Sequence, residues 1–218
     1  MQKLIFVMGV TTTGKSYFIR QHFEKENFSV LDVFDYQQRA YDEAGYKDSV
    51  PLFEQFRCLK RANEMHLHDI IEELKQGHDV VVEQTFFKAK RRIAYIEEIR
   101  KVADVRIEIF VMQPDDERWE NNIKRRGNNA TLQRLKCQAE DIEFPNPSEG
   151  FDAIYEVIND EIKLRMDEPK PEIILQAKQE LLEEEERLRK EDEEKRKKQE
   201  LREAKLRAIA ARINRHNM

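Results

Sequence analysis

The sequence predicts an α/β fold, a parallel sheet sandwiched by helices, with a highly charged helical tail attached. Three observations predict it. Short apolar runs alternate with amphipathic segments over residues 1–166, a glycine-bounded turn joins the first run to a helix, and from Asp167 the composition turns almost wholly to Glu, Lys, Arg and Gln. Two domains are therefore expected, residues 1–166 and residues 167–218.

The strands are placed at Lys3 to Met8, Ser29 to Val33, Asp79 to Val82 and Arg106 to Met112. Helices are expected at Lys15 to Glu24, Pro51 to Gln76, Lys88 to Val102, Asp115 to Arg125 and, last, near Gly150 to Met166. Gly77 stands where a C-terminal cap of the second helix belongs, directly before a strand. Pro169 and Pro171 punctuate the join to the tail. In the tail, Glu183, Glu185, Glu186, Glu191, Glu193 and Glu194 each precede a Lys or Arg by four residues, the better orientation for supporting a solvated helix. A coiled coil competes with that reading, although no apolar residue lies between Leu188 and Leu201 to make a seam. The end of the tail is basic and amphipathic, with Leu201, Leu206, Ile209, Ala210 and Ile213 set among Arg202, Lys205, Arg207, Arg212 and Arg215. Self-association, docking on a protein or nucleic-acid partner, and plain solvation all fit it.

A net charge of -5 argues against a protein that coats duplex nucleic acid, because that binding draws on Lys and Arg to neutralise phosphates. Two distant cysteines, Cys58 and Cys137, point to reduced thiols and a cytoplasmic setting. The run Leu4 to Met8 is too short for a signal-peptide core, and no apolar stretch approaches membrane length. The five histidines read as surface or packing residues.

The chemistry concentrates at Gly9-Val10-Thr11-Thr12-Thr13-Gly14-Lys15-Ser16. A loop grips phosphate oxygens only when its amides converge, which requires glycines where a side chain would intrude and a helix N-terminus behind. Gly9 and Gly14 meet the first need, and the helix opening at Lys15, Ser16 and Tyr17 meets the second. This is the pattern of a P-loop: Lys15 reaches the outer phosphates of ATP, Ser16 offers its hydroxyl to Mg2+, and Thr12, Thr13 and Tyr17 line the nucleotide. Asp35, just past the second strand, is placed to take a proton from an acceptor hydroxyl, and Arg39 one turn on to hold an anionic group of the acceptor. Asp32 is a rival, expected to face away. Glu83, at the end of the third strand, is the magnesium-side acid or an acceptor contact. Lys124-Arg125-Arg126-Gly127 followed by Asn128 and Asn129 suits a lid, with Arg126 the first choice over Arg125 to neutralise transferring charge.

Together with Glu83-Gln84-Thr85-Phe86 and the later Glu143-Phe144-Pro145 and Glu149-Gly150-Phe151-Asp152, these residues resemble the polynucleotide kinase branch of P-loop kinases, over residues 1 to about 160. The resemblance implies a fold of the P-loop NTPase type. It implies transfer of the γ-phosphate of ATP to a 5′-hydroxyl of DNA or RNA by a kinase domain alone, with Lys15 and Ser16 on the nucleotide and Asp35 as general base. Thr85 and Arg39 then stand on the acceptor side, and Arg126 in the lid. Arg39 follows Asp35 by four residues, where the family spaces them by three. Helix Pro51 to Gln76 is expected to wall the acceptor side, with Arg57, Lys60 and Arg61 facing a phosphodiester and Tyr46 of the loop Ala44 to Lys47 stacking a base. Two other readings stand beside this one: a kinase of a small hydroxyl substrate or modified base, and an ATP-bound scaffold acting through its tail.

Overall fold

A computed structural model describes the protein outside residues 47–49, 128–130 and 217–218, and outside the side chains at 25, 53, 201 and 203–216. The apolar faces of the tail end, Lys47, Asn128 and Asn129 thus lie outside the described residues. The described chain divides into two compact units, Met1–Ile174 and Leu175–Met218.

In the first unit, β1 (Lys3–Met8) is buried along nearly its whole length because both of its faces meet apolar layers. Leu4, Phe6 and Met8 join the core on one side of the sheet, and Ile5 and Val7 the core on the other. β1 pairs in parallel with β3 (Val80–Gln84) and β4 (Arg106–Met112), and β2 (Ser29–Asp32) flanks β3. With β5 (Ala153–Ile158) and β6 (Glu161–Arg165) the sheet runs β2-β3-β1-β4-β5-β6, parallel except at the last strand. One face carries α1 (Lys15–His22) through Phe18 and Ile19; the other carries α3 (Leu52–Lys75) through Ile70 and Leu74, and α4 (Ala89–Arg100) through Ile96 and Ile99.

The α/β class and the sheet between helices are as the sequence predicts, and three segments differ. The last expected helix, near Gly150 to Met166, is instead the β5–β6 hairpin. Asn159 and Asp160 both take positive φ, 48° and 75°, the two-residue turn geometry whose twist matches paired strands. The second is α6 (Leu132–Glu140), absent from the sequence reading and capped by the Thr131 hydroxyl, which accepts from the Arg134 amide at 3.3 Å. The third is α2 (Val33–Glu43), likewise absent from the sequence reading, which Val33 opens rather than ending β2; β3 runs two residues further than expected, which brings Glu83 and Gln84 inside it.

The second unit is built on α7 (Glu172–His216). Glu186–Lys190, Glu193–Lys197 and Glu194–Lys198 pair at i,i+4 as expected, whereas Arg187 turns to Glu191 and Lys195 to Asp192. Exposed pairs of this kind stabilise by a few tenths of a kcal/mol each, so the helix rests on their number. No helix among the described residues is long and apolar enough to cross a membrane.

The motif-like segment Glu143 to Asp152 is structural. The Glu143 amide donates to the Phe87 carbonyl at 2.8 Å, and its carboxylate accepts from the Ala89 amide at 2.8 Å. Asn146 and Glu149 form a reciprocal capping box, and Asp152 accepts from the Ile107 amide at 2.7 Å. Glu149 also forms a bidentate pair with Arg92 at 2.7 and 2.8 Å, both side chains fully buried, and Arg92 donates to the Phe86 carbonyl at 2.7 Å. Breaking such a pair strands a buried charge, so Arg92→Leu is expected to cost about 3–5 kcal/mol in chemical denaturation, and Arg92→Met/Glu149→Leu to recover part of it.

Candidate nucleotide and phosphoryl-transfer site

The site lies where the carboxyl ends of β1, β2 and β3 meet the N-terminus of α1, the crevice in which open α/β sheets hold ligands. At Gly9, with φ +153°, a Cβ would stand 2.8 Å from Thr13 Oγ1 and 3.1 Å from the Met112 carbonyl, so only glycine permits the loop to fold this tightly. Gly14, φ +100°, caps α1 and releases its first amides. Inside the turn, the Val10 carbonyl accepts from Thr13 Oγ1 at 2.8 Å, from Lys15 Nζ at 3.2 Å and from the Thr13 amide at 3.4 Å.

Lys15 is buried, and burial pushes its ammonium pKa down; Glu83 and Asp32 oppose that shift, while Arg126 adds to it. Ser16 Oγ donates to Glu83 Oε1 at 2.9 Å. Burial raises the Glu83 carboxyl above the ordinary range against the pull of Lys15. Asp32, paired in register with Glu83, is raised in the same way, burial acting first and Asp35 adding to it, against the Phe34 amide, Lys15 and Arg126. Four groups, two from strand ends and two from helices, thus share a field: Asp32, Glu83, Lys15 and Arg126. Asp32 therefore faces the site and does not turn away. It also caps α2, accepting from the Phe34 amide at 3.0 Å.

The remaining expected residues surround this cluster unequally. Asp35 lies exposed in the first turn of α2, near enough to Asp32 to raise it. Thr85 is half-buried just past β3, Tyr17 is exposed on α1, and Arg125 and Arg126 are exposed in the last turn of α5 (Asp116–Arg126). Arg39 is tied to Asp69 at 3.5 Å and lies over the Tyr36 ring. Arg57 and Arg61 pair with Glu54 and Glu43, and Tyr46 is half-buried.

Four contributors were missed. Trp119 and Asn122 of α5 hydrogen-bond the phosphate loop, and nothing in a one-sequence pattern announces that. His66, buried on α3, contacts the Leu31 carbonyl next to Asp32 at 3.3 Å, and burial lowers it to about 4. Beside it Asn63 holds Gln84 at 3.0 Å. The helical spacing of Asn63 and His66 was the available signal.

The donor set fits a nucleotide with magnesium. A hydroxyl and a carboxylate, both hard oxygen donors, stand side by side at Ser16 and Glu83. Magnesium takes one or two such protein ligands and completes its shell with water and phosphate. Among the described residues no three His, Cys, Asp or Glu side chains gather as a metal cage.

A glycine-cornered phosphate loop, a buried lysine and a carboxylate on the adjacent strand end define a P-loop kinase-like domain. The chain belongs to the AAA domain family, whose model matches residues 4–145. No curated protein matches it. Among solved structures it is similar to a protein of Chloroflexus aurantiacus j-10-fl taken to be a kinase, at 15% identity and TM-score 0.55, over 84% of this chain and 97% of that one. A gluconokinase from Sinorhizobium meliloti 1021 matches at 20% identity and TM-score 0.44, over 85% and 95% of the two chains. The Pnkp1/Rnl/Hen1 RNA repair complex matches at 16% identity and TM-score 0.48, over 65% of this chain and 44% of the chain compared.

The raised Asp32 gives a signed pH effect. An acid whose folded pKa exceeds its unfolded value of about 3.9 lowers stability as pH climbs through the window between the two. Asn caps helices as well as Asp does, so Asp32→Asn removes the titration and keeps the cap. Thermal unfolding of the ligand-free protein should show the variant gaining on wild type from about pH 4 upward and the two converging below it.

Proposed function

We propose that this protein is an ATP-dependent kinase that transfers the γ-phosphate to a hydroxyl, with the 5′-hydroxyl of a polynucleotide as the first acceptor. One observation carries the phosphotransferase reading: Ser16 Oγ meets Glu83 Oε1 at 2.9 Å beside a buried Lys15. Bound ATP would supply the transferable phosphoryl group, and Mg2+ would neutralise charge on the phosphates. Gly9, Thr12, Thr13, Gly14, Lys15 and Ser16 hold the triphosphate. Tyr17 and Arg125 lie along the rest of the nucleotide, and Arg126 offsets the charge that develops on transfer.

Asp35, exposed at the rim beside Asp32, accepts the acceptor's proton, while Thr85 and Arg39 contact the acceptor. Asp32 is the alternative base, favoured by its position in the field of Lys15, Glu83 and Arg126. A small hydroxyl compound is the second acceptor reading. It is favoured by the pairing of Arg39, Arg57 and Arg61 with Asp69, Glu54 and Glu43, which leaves a shorter run of unopposed positive charge for a phosphodiester strand.

Incubation with γ-labelled ATP against 5′-hydroxyl oligonucleotides, nucleosides and sugars separates the acceptors; label absent from every oligonucleotide sinks the first. Lys15→Ala should abolish nucleotide-dependent transfer. Asp35→Asn should bind ATP normally and lose at least about 100-fold in turnover. Wild-type turnover in Asp35→Asn together with that loss in Asp32→Asn would move the base to Asp32.

A further inference from the structure

α5 presents Trp119, Asn122 and Arg126 at i, i+3 and i+7, one face of the helix. The first two meet the phosphate loop. Trp119 Nε1 donates to Thr12 Oγ1 at 2.9 Å and to the Thr11 carbonyl at 3.3 Å, and Asn122 Nδ2 donates to the Thr12 carbonyl at 3.0 Å. Trp119 is held in turn by an apolar cluster with Val10 of the loop and Leu135 of α6, packed by Phe87, Ile123 and Leu132. Thr12 itself takes φ +68°, a conformation a β-branched residue keeps only when its surroundings impose it.

The consequence follows from peptide geometry. In a planar trans peptide the carbonyl and the amide point to opposite edges, and no cis bond occurs in the described chain. Drawing the Thr11 and Thr12 carbonyls toward α5 therefore turns the Thr12 and Thr13 amides away from it. The Thr13 amide does point inward, to the Val10 carbonyl at 3.4 Å.

We infer that Trp119 and Asn122 are positioning residues, which orient the two central peptide units of the phosphate loop so that their amides face the bound phosphates. Arg126 rides on the same face, so the grip and the charge-neutralising arginine are set by one helix. This rests on the nucleotide-binding reading above.

The test is calorimetric titration of the full chain with the β,γ-imido analogue of ATP in magnesium, and separately with adenosine. Trp119→Phe keeps the ring and loses the donor; Asn122→Leu loses the other donor without touching the apolar cluster. Each should weaken the analogue by about 5- to 10-fold, the worth of one hydrogen bond, and leave adenosine unchanged. Asn122→Gln, which retains a donor, should recover part of the loss. Because Trp119 is the only tryptophan of the chain, its emission should shift in wild type with the calorimetric midpoint. Wild-type binding matched by both variants overturns the inference alone, as does an equal loss for adenosine, which marks general damage. A wild-type chain that binds no nucleotide overturns the kinase reading and this inference with it.

Discussion

The structure turns on one burial, that of the Lys15 ammonium at the convergence of three strand ends. A buried charge is costly unless opposite charge and hydrogen bonds surround it. Here the compensation is divided: Val10 supplies a carbonyl, and Glu83 and Asp32 supply carboxylates that are themselves poorly solvated. Neither sign is fully satisfied, since the ammonium is pushed down and both carboxyls up. A cluster balanced in that way is suited to a ligand that brings phosphate for the cation and a metal for the anions.

The parallel register enforces that meeting. β3 lies between β1 and β2, Asp32 stands opposite Glu83, and Met8 at the end of β1 stands opposite Gln84. The phosphate loop leaves β1 at that same level, so a one-residue slip in either pairing would send Glu83 to the opposite face of the sheet. The apolar alternation of β1 into two separate cores opposes such a slip along its whole length. A second constraint holds the segment after β3. Phe86 adopts φ 46°, uncommon for a bulky residue, with its carbonyl taken by the buried Arg92 and that of Phe87 by the Glu143 amide. Glu143 to Asp152 thereby acts as a brace on the strand end that carries Glu83 and Thr85.

What was legible in the sequence was whatever a local pattern encodes. β1 and β4 were readable to the residue, β1 as an apolar run after Lys3 and β4 as an apolar segment broken only by Glu108 after Arg106, and the phosphate loop as two glycines at fixed spacing before a helix. Asp32 was misjudged because what turns it to the site is its parallel register with Glu83, a pairing of distant segments that a single sequence does not show. The β5–β6 hairpin was read as a helix because its turn, Asn159-Asp160, lacks the glycine that usually marks such a turn, although Glu161, Lys163 and Arg165 alternate with Ile162 and Leu164 at the two-residue period of a strand. α6 was missed although Leu132, Leu135 and Ala139 recur at i, i+3 and i+7, because the helix is only nine residues long. The contacts of Trp119, Asn122, Asn63 and His66 join residues tens of positions apart; the sequence could mark Asn63 and His66 as sharing a helix face, but not what that face meets.

On the proposed acceptor side, charge and geometry would divide the work. Arg39, Arg57 and Arg61 are exposed, and their ion pairs are each worth at most about 1 kcal/mol, so a polyanion can exchange them at little cost. The same exchange gives little discrimination, because carboxylate and phosphate compete for the same guanidinium on nearly equal terms. On the proposed reading, selectivity for an acceptor has to come from shape and hydrogen bonding close to Asp35 and Thr85. Those two residues adjoin the capped start of α2 and the braced end of β3, so on that reading a misplaced hydroxyl would meet groups already held by the fold.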